Sequence, residues 1–191
     1  MAGDPYCYAG TNILKNKLDI RDLDGLHEAE RRIAKTRELE LLRSPIRGDF
    51  DFAHLQEIHR YLFQDIYEWA GKVREVDIAK GNLFCRVNLV AQQAEVIFSE
   101  LSAENFLQGL GAGEFTKRLA YYLSELNALH PFREGNGRTQ REFVRELAYQ
   151  NDYFLAFKGV TQEEMVAASI ASFGCDYGKM EELLGRCLRP V

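Results

Sequence analysis

The sequence predicts a mainly α-helical fold with a single β-hairpin. Between residues 114 and 129 apolar side chains recur at spacings of four, four and three, and a helical pattern resumes at residue 143. Between residues 73 and 89 the spacing changes to two, around a turn at Lys80-Gly81-Asn82, which is typical of a hairpin. The length of 191 residues suits one domain with a sizeable core, so we predict a single domain over residues 1–191.

Composition narrows the possible partners. The formal net charge is −5, so nothing directs the whole surface toward direct contact with nucleic acid or an anionic membrane. No apolar run reaches membrane-spanning length and the first residues lack a signal-peptide pattern, which favours a cytoplasmic protein. The four cysteines show no Cys-x-x-Cys spacing, and we expect free thiols that are buried or incidental.

The first half of the chain reads as an arm followed by two helices. Residues 1–20 carry turn signals and predict an N-terminal arm lying on the domain. Residues 22–43 predict a helix stopped by Ser44-Pro45, and Asp51 caps a second helix with a strong apolar stripe. His54 and His59 lie on or beside this second helix, where we expect surface or capping roles and not catalysis.

The hairpin predicted over residues 73–89 is the only one in the chain, and it is followed by further helices. Residues 91–106 predict a helix, and the glycine-rich residues 109–113 a connector that lacks the lysine of a phosphate-binding P-loop. Residues 153–157 are apolar and read as extended. Thr161 and Glu164 form a capping box that opens another helix, and residues 180–188 predict the last one.

One polar run between two helices, residues 130–141, carries the chemistry. Gly135 and Gly137 flank Asn136, and we expect both glycines to take positive φ and to bring the backbone close to a ligand. The amides that follow would then converge on an anion at the start of the next helix. Arg138 and Arg141 lie three apart on that helix, and the guanidinium fork suits phosphate oxygens.

Two further side chains complete a phosphate-centred site. Glu134 is the one carboxylate in the run, and beside a polyphosphate it suits Mg²⁺, which commonly binds one carboxylate plus phosphates. His130 ends the preceding helix and could take a proton from an incoming hydroxyl. The alternative is a plain helix–turn–helix corner, in which glycines make the turn and the arginines are solvated.

At these residues the chain resembles the Fic family, whose motif His-Pro-Phe-x-(Asp/Glu)-Gly-Asn-Gly-Arg-x-x-Arg it matches at every defined position. The resemblance implies a Fic-fold helical domain that transfers AMP from Mg·ATP to a hydroxyl side chain of a target protein. It implies His130 as general base, Glu134 as Mg²⁺ ligand, Gly135, Asn136 and Gly137 as the anion-binding turn, and Arg138 and Arg141 as ligands of the β- and γ-phosphates. Phe132 would anchor the loop in the core.

The same resemblance makes the hairpin a flap over the active site. In the family such a flap pairs with an extended segment of the target and places its hydroxyl near the histidine. Lys80 and Phe84 are the flap residues we expect to contact the target, although Lys80 could equally be a solvent-exposed turn residue.

Many Fic proteins are restrained by a helix with Ser/Thr-x-x-x-Glu-Gly/Asn, whose glutamate pairs with the last motif arginine. Only Thr36 and Glu40 have the right spacing here, and Leu41 follows where Gly or Asn is expected. We therefore expect a separate small antitoxin to supply the helix, as for class I Fic toxins, with exposed apolar residues of the first helix as the docking site.

The identity of the target and of the donor is left more open. Related bacterial toxins modify DNA gyrase and topoisomerase IV, and the absence of a secretion domain in this short chain favours such a target. Transfer of UMP or phosphocholine, or a catalytically silent binding module, are the alternatives. A kinase-like relative is disfavoured by the Gly137-Arg138 pair.

Overall fold

The computed structural model describes residues 4–191, and in that range the fold is mainly helical, as predicted. The helices are α1 Leu23–Arg43, α2 Phe52–Phe63, α3 Val90–Ala103, α4 Ala112–Leu129, α5 Asn136–Gln150, α6 Gln162–Phe173 and α7 Gly178–Cys187. Short 3₁₀ turns cover Val87–Leu89 and Asn105–Leu107. The strands are β1 Ala79–Lys80, β2 Asn82–Leu83, β3 Tyr153–Leu155 and β4 Leu188–Pro190.

Helices α4 and α5 form the centre of the domain. Helix α4 packs against α3, α5, α6 and α7, and α5 packs against α2 and β3. The predicted apolar stripes face this core, because Leu119, Leu123, Phe143 and Leu147 are buried. Since α4 ends and α5 begins at the motif, these two core helices hold the 130–141 loop from both sides.

Capping residues begin two of the helices where the sequence indicates. The Asp51 side chain accepts a hydrogen bond from the His54 amide at 2.8 Å. Thr161 and Glu164 form the predicted capping box at the start of α6. The predicted last helix over residues 180–188 is displaced, because α7 ends at Cys187 and Leu188 begins β4.

The hairpin is present but much shorter than the predicted 73–89. Only Ala79 pairs with Leu83 and Lys80 with Asn82, around Gly81 at φ 80°. Buried Arg74 explains the difference, because its guanidinium donates hydrogen bonds to the backbone oxygens of Val76 and Cys85. Carbonyls that a longer ladder would have used therefore accept from a side chain.

Three other expectations are corrected or confirmed by the packing. The hairpin is not the only strand pairing, because β3 pairs antiparallel with β4, 33 residues further along the chain at Leu155↔Leu188. His54 and His59 are buried and not on the surface. The four cysteines are free thiols, as expected.

Part of the predicted N-terminal arm, residues 1–3, lies outside the described residues. The remainder contacts the motif loop, since Asp4 pairs with Arg133 at 2.6 Å and Tyr6 packs edge-on to Trp69. Among residues 4–191, no helix combines the length and the apolar character needed to cross a bilayer.

Candidate active site

The motif loop opens onto a cavity of about 790 Å³. The flap lines one side with Lys80 and Phe84, and α6 lines another with apolar side chains such as Met165. The predicted site residues His130, Glu134, Asn136, Gly137, Arg138 and Arg141 all line this one cavity. Gly135, the remaining residue of the predicted anion-binding turn, is not among the lining residues. The roles of all these residues in binding and catalysis stay predictions.

The His130 imidazole is buried and neutral. His130 ends α4 in the left-handed conformation, with φ 45°, and the residue is 8% exposed. Burial lowers the pKa of His130 to about 4, and the positive charge of Lys80 acts in the same direction. Its Nδ1 lies 3.1 Å from the Asn127 carbonyl oxygen, which only accepts, so Nδ1 carries the proton and Nε2 has the lone pair.

Two contacts fix the His130 ring and backbone. The Phe84 ring stacks on the imidazole with centroids 3.7 Å apart and planes 15° from parallel. The Arg74 Nε donates to the His130 carbonyl at 2.9 Å. Phe84, expected to contact the target, is 7% exposed here and covers the base, so a target contact stays a prediction.

Glu134 presents an ionised carboxylate to the cavity. Burial alone would raise the pKa of Glu134, but Lys80, the Gly135 amide and Arg138 together bring this pKa below its ordinary value. The Gly135 amide donates to its Oε1 at 2.9 Å. A charged carboxylate of this kind fits a hard cation.

A Mg²⁺ ion here would need further ligands from the nucleotide. Among residues 4–191, no three His, Cys, Asp or Glu side chains are close enough together to hold a metal ion by themselves. One carboxylate beside a cavity large enough for a nucleotide therefore fits Mg²⁺ held jointly with phosphates.

The two glycines of the motif do different things. Gly135 has φ 83°, as predicted, and a Cβ there would overlap the Phe63 ring. Gly137 lies inside α5 and does not have a positive φ, so that expectation is wrong. A Cβ there would lie 3.2 Å from the Arg141 Nη1, at the far end of a flexible side chain, so the backbone does not require glycine at this position.

Asn136 closes the loop with its side chain. Its Oδ1 accepts from the Phe132 amide at 2.9 Å, and its Nδ2 donates to the Phe132 carbonyl at 2.7 Å. Both side-chain atoms are thus used internally. As the first residue of α5, Asn136 still has a backbone N–H at the helix start, where anions are favoured.

The two motif arginines are held differently. Arg138 forms an ion pair with Glu30 of α1, and its guanidinium lies 4.8 Å from the Phe63 ring centroid. Arg141 has no ion-pair partner among the described residues, and burial lowers its pKa. Arg141 is therefore the motif cation with unmatched charge.

Sequence reasoning missed the residues that support the loop from behind. His59 donates through Nε2 to the Glu134 carbonyl at 3.0 Å, accepts from the Gly71 amide at 2.8 Å, and stacks on Phe132 at 3.8 Å. Phe132 is fully buried, as expected. Glu30 and Arg74 were also missed. The one available signal concerned Glu30, because this charged residue occupies a core-facing position of α1, on the same stripe as Leu26 and Ala34.

Thr36 and Glu40 do not reach the motif. Both lie on α1, and the Glu40 carboxylate accepts hydrogen bonds from Arg37 and from the Tyr61 hydroxyl at 2.8 and 2.9 Å. Glu40 is therefore engaged away from Arg141.

The sequence of this chain is similar to those of known proteins. Residues 49–148 match the model of the Fic/DOC family. Protein adenylyltransferase VbhT of Bartonella schoenbuchensis is 44% identical over 98% of this chain, which spans 39% of the length of VbhT. The probable protein adenylyltransferase y4lH of Sinorhizobium fredii is 38% identical, with 97% of this chain and 96% of y4lH covered.

The fold agrees as well. The crystal structure of BepC of Bartonella tribocorum, with bound AMPPNP, superimposes with a TM-score of 0.92 at 27% identity, covering 97% of each chain. The family model thus covers about half of the chain, and the sequence relatives and the fold match nearly all of it. The chain belongs to the Fic/DOC family.

Proposed function

We propose that this chain is a protein adenylyltransferase, which transfers AMP from Mg·ATP to a hydroxyl side chain of a target protein. The observation that carries the proposal is that one cavity holds a neutral imidazole, an ionised carboxylate, a helix N-terminus and an arginine with unmatched charge. These are the groups that in-line transfer of a phosphoryl group needs. Relatives named protein adenylyltransferase support it.

In the proposed reaction the acceptor oxygen attacks the α-phosphorus of ATP. A bond forms between that oxygen and the α-phosphorus, and the bond from the α-phosphorus to the oxygen bridging to the β-phosphate breaks. Pyrophosphate leaves, and the hydroxyl proton passes to Nε2 of His130. This nitrogen can accept the proton because the Asn127 carbonyl keeps the ring's own proton on Nδ1. The low pKa of His130 keeps the ring neutral at physiological pH.

The other residues of the site would bind the phosphates and neutralise their charge. The amides at the start of α5 and the Arg141 guanidinium would bind the phosphates, with Arg138 beside them. Glu134 would hold Mg²⁺, which when bound neutralises phosphate charge. The apolar wall formed by Phe157, Val160 and Met165 of the cavity suits the base of the nucleotide.

The flap is proposed to present the target. Lys80, Asn82 and Leu83 are exposed on the two-stranded hairpin, whose outer edges have no strand neighbour among the described residues. An extended target segment could add to that edge. This would bring its hydroxyl toward His130, which lies directly under Phe84 of the same flap.

We further propose that inhibition comes from a separate antitoxin. Glu40, the only glutamate at the inhibitory spacing, is engaged with Arg37 and Tyr61, while Arg141 lacks an ion-pair partner within residues 4–191. Leu39 and Leu42 on α1 are about half exposed, and Leu42 and Arg141 line a neighbouring cavity of about 490 Å³. An amphipathic helix with a glutamate would fit that surface.

For the target we propose bacterial DNA gyrase and topoisomerase IV, supported by the resemblance to bacterial Fic toxins. Incubation of bacterial lysate with the protein, Mg²⁺ and ATP labelled at the α-phosphorus tests this directly. Label on the gyrase and topoisomerase IV subunits is expected. Label confined to other proteins would contradict the proposal.

The experiment that tests the activity compares wild type with His130→Ala. We expect the variant to lose transfer of α-labelled AMP and to keep ATP binding, because His130 moves a proton and does not contact the outer phosphates. If the variant still labels the target, the base assignment is wrong.

A further inference from the structure

Glu30 is a buried carboxylate that neither the motif nor the family match includes. It lies on α1, upstream of the matched residues 49–148, and is 6% exposed. One carboxylate oxygen pairs with the Arg138 guanidinium, and the other accepts the Tyr67 hydroxyl. Both oxygens are thus occupied, which a buried carboxylate requires.

Arg138 is consequently restrained on two sides. Glu30 holds one Nη, and the Phe63 ring lies 4.8 Å below the guanidinium carbon. An arginine side chain ordinarily loses considerable rotamer entropy when it binds an anion. Here that entropy is lost on folding, before any nucleotide arrives.

Tyr67 keeps the carboxylate in place. It is 1% exposed, and burial together with the nearby Glu30 charge raises the pKa of its hydroxyl, so the hydroxyl stays a proton donor. Its ring stacks on Trp69 with centroids 4.2 Å apart. The Glu30 carboxylate is therefore anchored to the core, whereas Arg138 still lines the nucleotide cavity.

From these contacts we propose that Glu30, supported by Tyr67, is a positioning residue that fixes the Arg138 guanidinium for the outer phosphates of the nucleotide. The inference rests on the proposed function, since it presumes a nucleoside triphosphate in the cavity. Arg141, which has no ion-pair partner among the described residues, would attract the phosphates electrostatically. Arg138, which is already paired with Glu30, would set where the outer phosphates lie. Glu30 acts only through Arg138 and does not contact the substrate.

The test compares two nucleotides that differ in their outer phosphates. Dissociation constants for AMP and for Mg·AMPPNP are measured by calorimetry on wild type, Glu30→Ala and Glu30→Gln. Glu30→Ala frees Arg138, so we expect AMPPNP binding to weaken about tenfold or more while AMP binding stays within about twofold. Glu30→Gln keeps an acceptor for Arg138 and a partner for Tyr67, so it should recover most of the loss.

A matched control comes from the same helix. Asp24 lies on the exposed side of α1 and does not line the cavity, so Asp24→Ala should leave both constants unchanged. A purely structural role of Glu30 would weaken AMP and AMPPNP together, and that result would overturn the inference. Unchanged AMPPNP binding in Glu30→Ala would also overturn it.

Failure of the inference and failure of the proposed function are distinguishable. Wild-type protein that binds AMPPNP but labels no target with AMP would refute the transfer reaction and leave the Glu30 comparison valid. Wild-type protein that binds neither nucleotide would refute both. If Glu30→Ala does not fold, Tyr67→Phe still decides, because loss of the hydroxyl that holds the Glu30 carboxylate should weaken AMPPNP binding selectively, by about two- to fivefold.

Discussion

Replacing Gly135 by alanine should damage the motif loop, whereas the same change at Gly137 should not. Gly135 has φ 83° and its missing Cβ faces the Phe63 ring. Gly137 lies in the first turn of α5, without a positive φ, and its nearest neighbour is the mobile end of Arg141 at 3.2 Å. Two glycines of one motif therefore differ in what they tolerate.

The magnitude follows from two separate costs. An alanine in the left-handed region costs about 1–2 kcal/mol. Forcing a methyl group against a packed ring costs about 1–3 kcal/mol more. We therefore expect Gly135→Ala to lower the free energy of unfolding by about 2–5 kcal/mol, and Gly137→Ala to leave it unchanged or raise it by up to about 1 kcal/mol.

The assay is urea unfolding followed by the fluorescence of Trp69, the only tryptophan. A double-mutant cycle with Phe63→Leu isolates the steric part. If the new methyl group at residue 135 clashes with the Phe63 ring, the double variant should lose less stability than the sum of the two single losses. The difference in the free energy of unfolding should be at least about 1 kcal/mol. Equal stability of Gly135→Ala and Gly137→Ala would refute the reasoning.

Three further perturbations test other parts of the site. His59 has a pKa lowered by burial from 6.5 to about 4, so its contribution of up to about 3 kcal/mol is present above pH 6.5 and lost as the pH falls toward 4. Urea unfolding of His59→Gln at pH 7 and 4.5 should show a smaller acid loss than wild type; an equal loss contradicts this. Phe84→Ala uncovers His130, so the acidic limb of the kcat/KM profile should move up toward the ordinary histidine range, whereas Leu83→Ala should leave it in place. A profile that Phe84→Ala does not move would show that stacking does not keep His130 neutral. Glu40→Gly should leave the transfer rate of the isolated chain within about twofold, because the half-exposed Glu40 pairs with Arg37 and does not reach Arg141. A sharp rise would show self-inhibition instead.

The placement of the motif side chains around one cavity could be predicted from sequence because the motif is local. His130, Glu134 and Arg141 lie within twelve consecutive residues, and the helices on each side have clear apolar periodicity. Helix continuity alone then places these side chains around one corner. The buried position of Phe132 follows for the same reason.

The supporting residues could not be predicted, because their partners are distant in sequence. Glu30 pairs with Arg138 across 108 positions, and His59 bonds to Glu134 across 75. A charged residue on a helix ordinarily predicts a solvated face, and only the tertiary fold reveals a buried partner. The length of the hairpin was overestimated for a similar reason. The alternation of apolar residues from 73 to 89 does not reveal that Arg74 donates hydrogen bonds to carbonyls that a longer ladder would use.

The central claim is that the cavity presents the α-phosphorus of ATP to His130. The measurement that tests it most directly is parallel incubation of enzyme and target with ATP labelled at either the α- or the γ-phosphorus. Label from the α-position should appear on the target and vanish in His130→Ala, while the γ-label leaves with pyrophosphate. Covalent γ-label on the target, or no label from either position, would contradict the account.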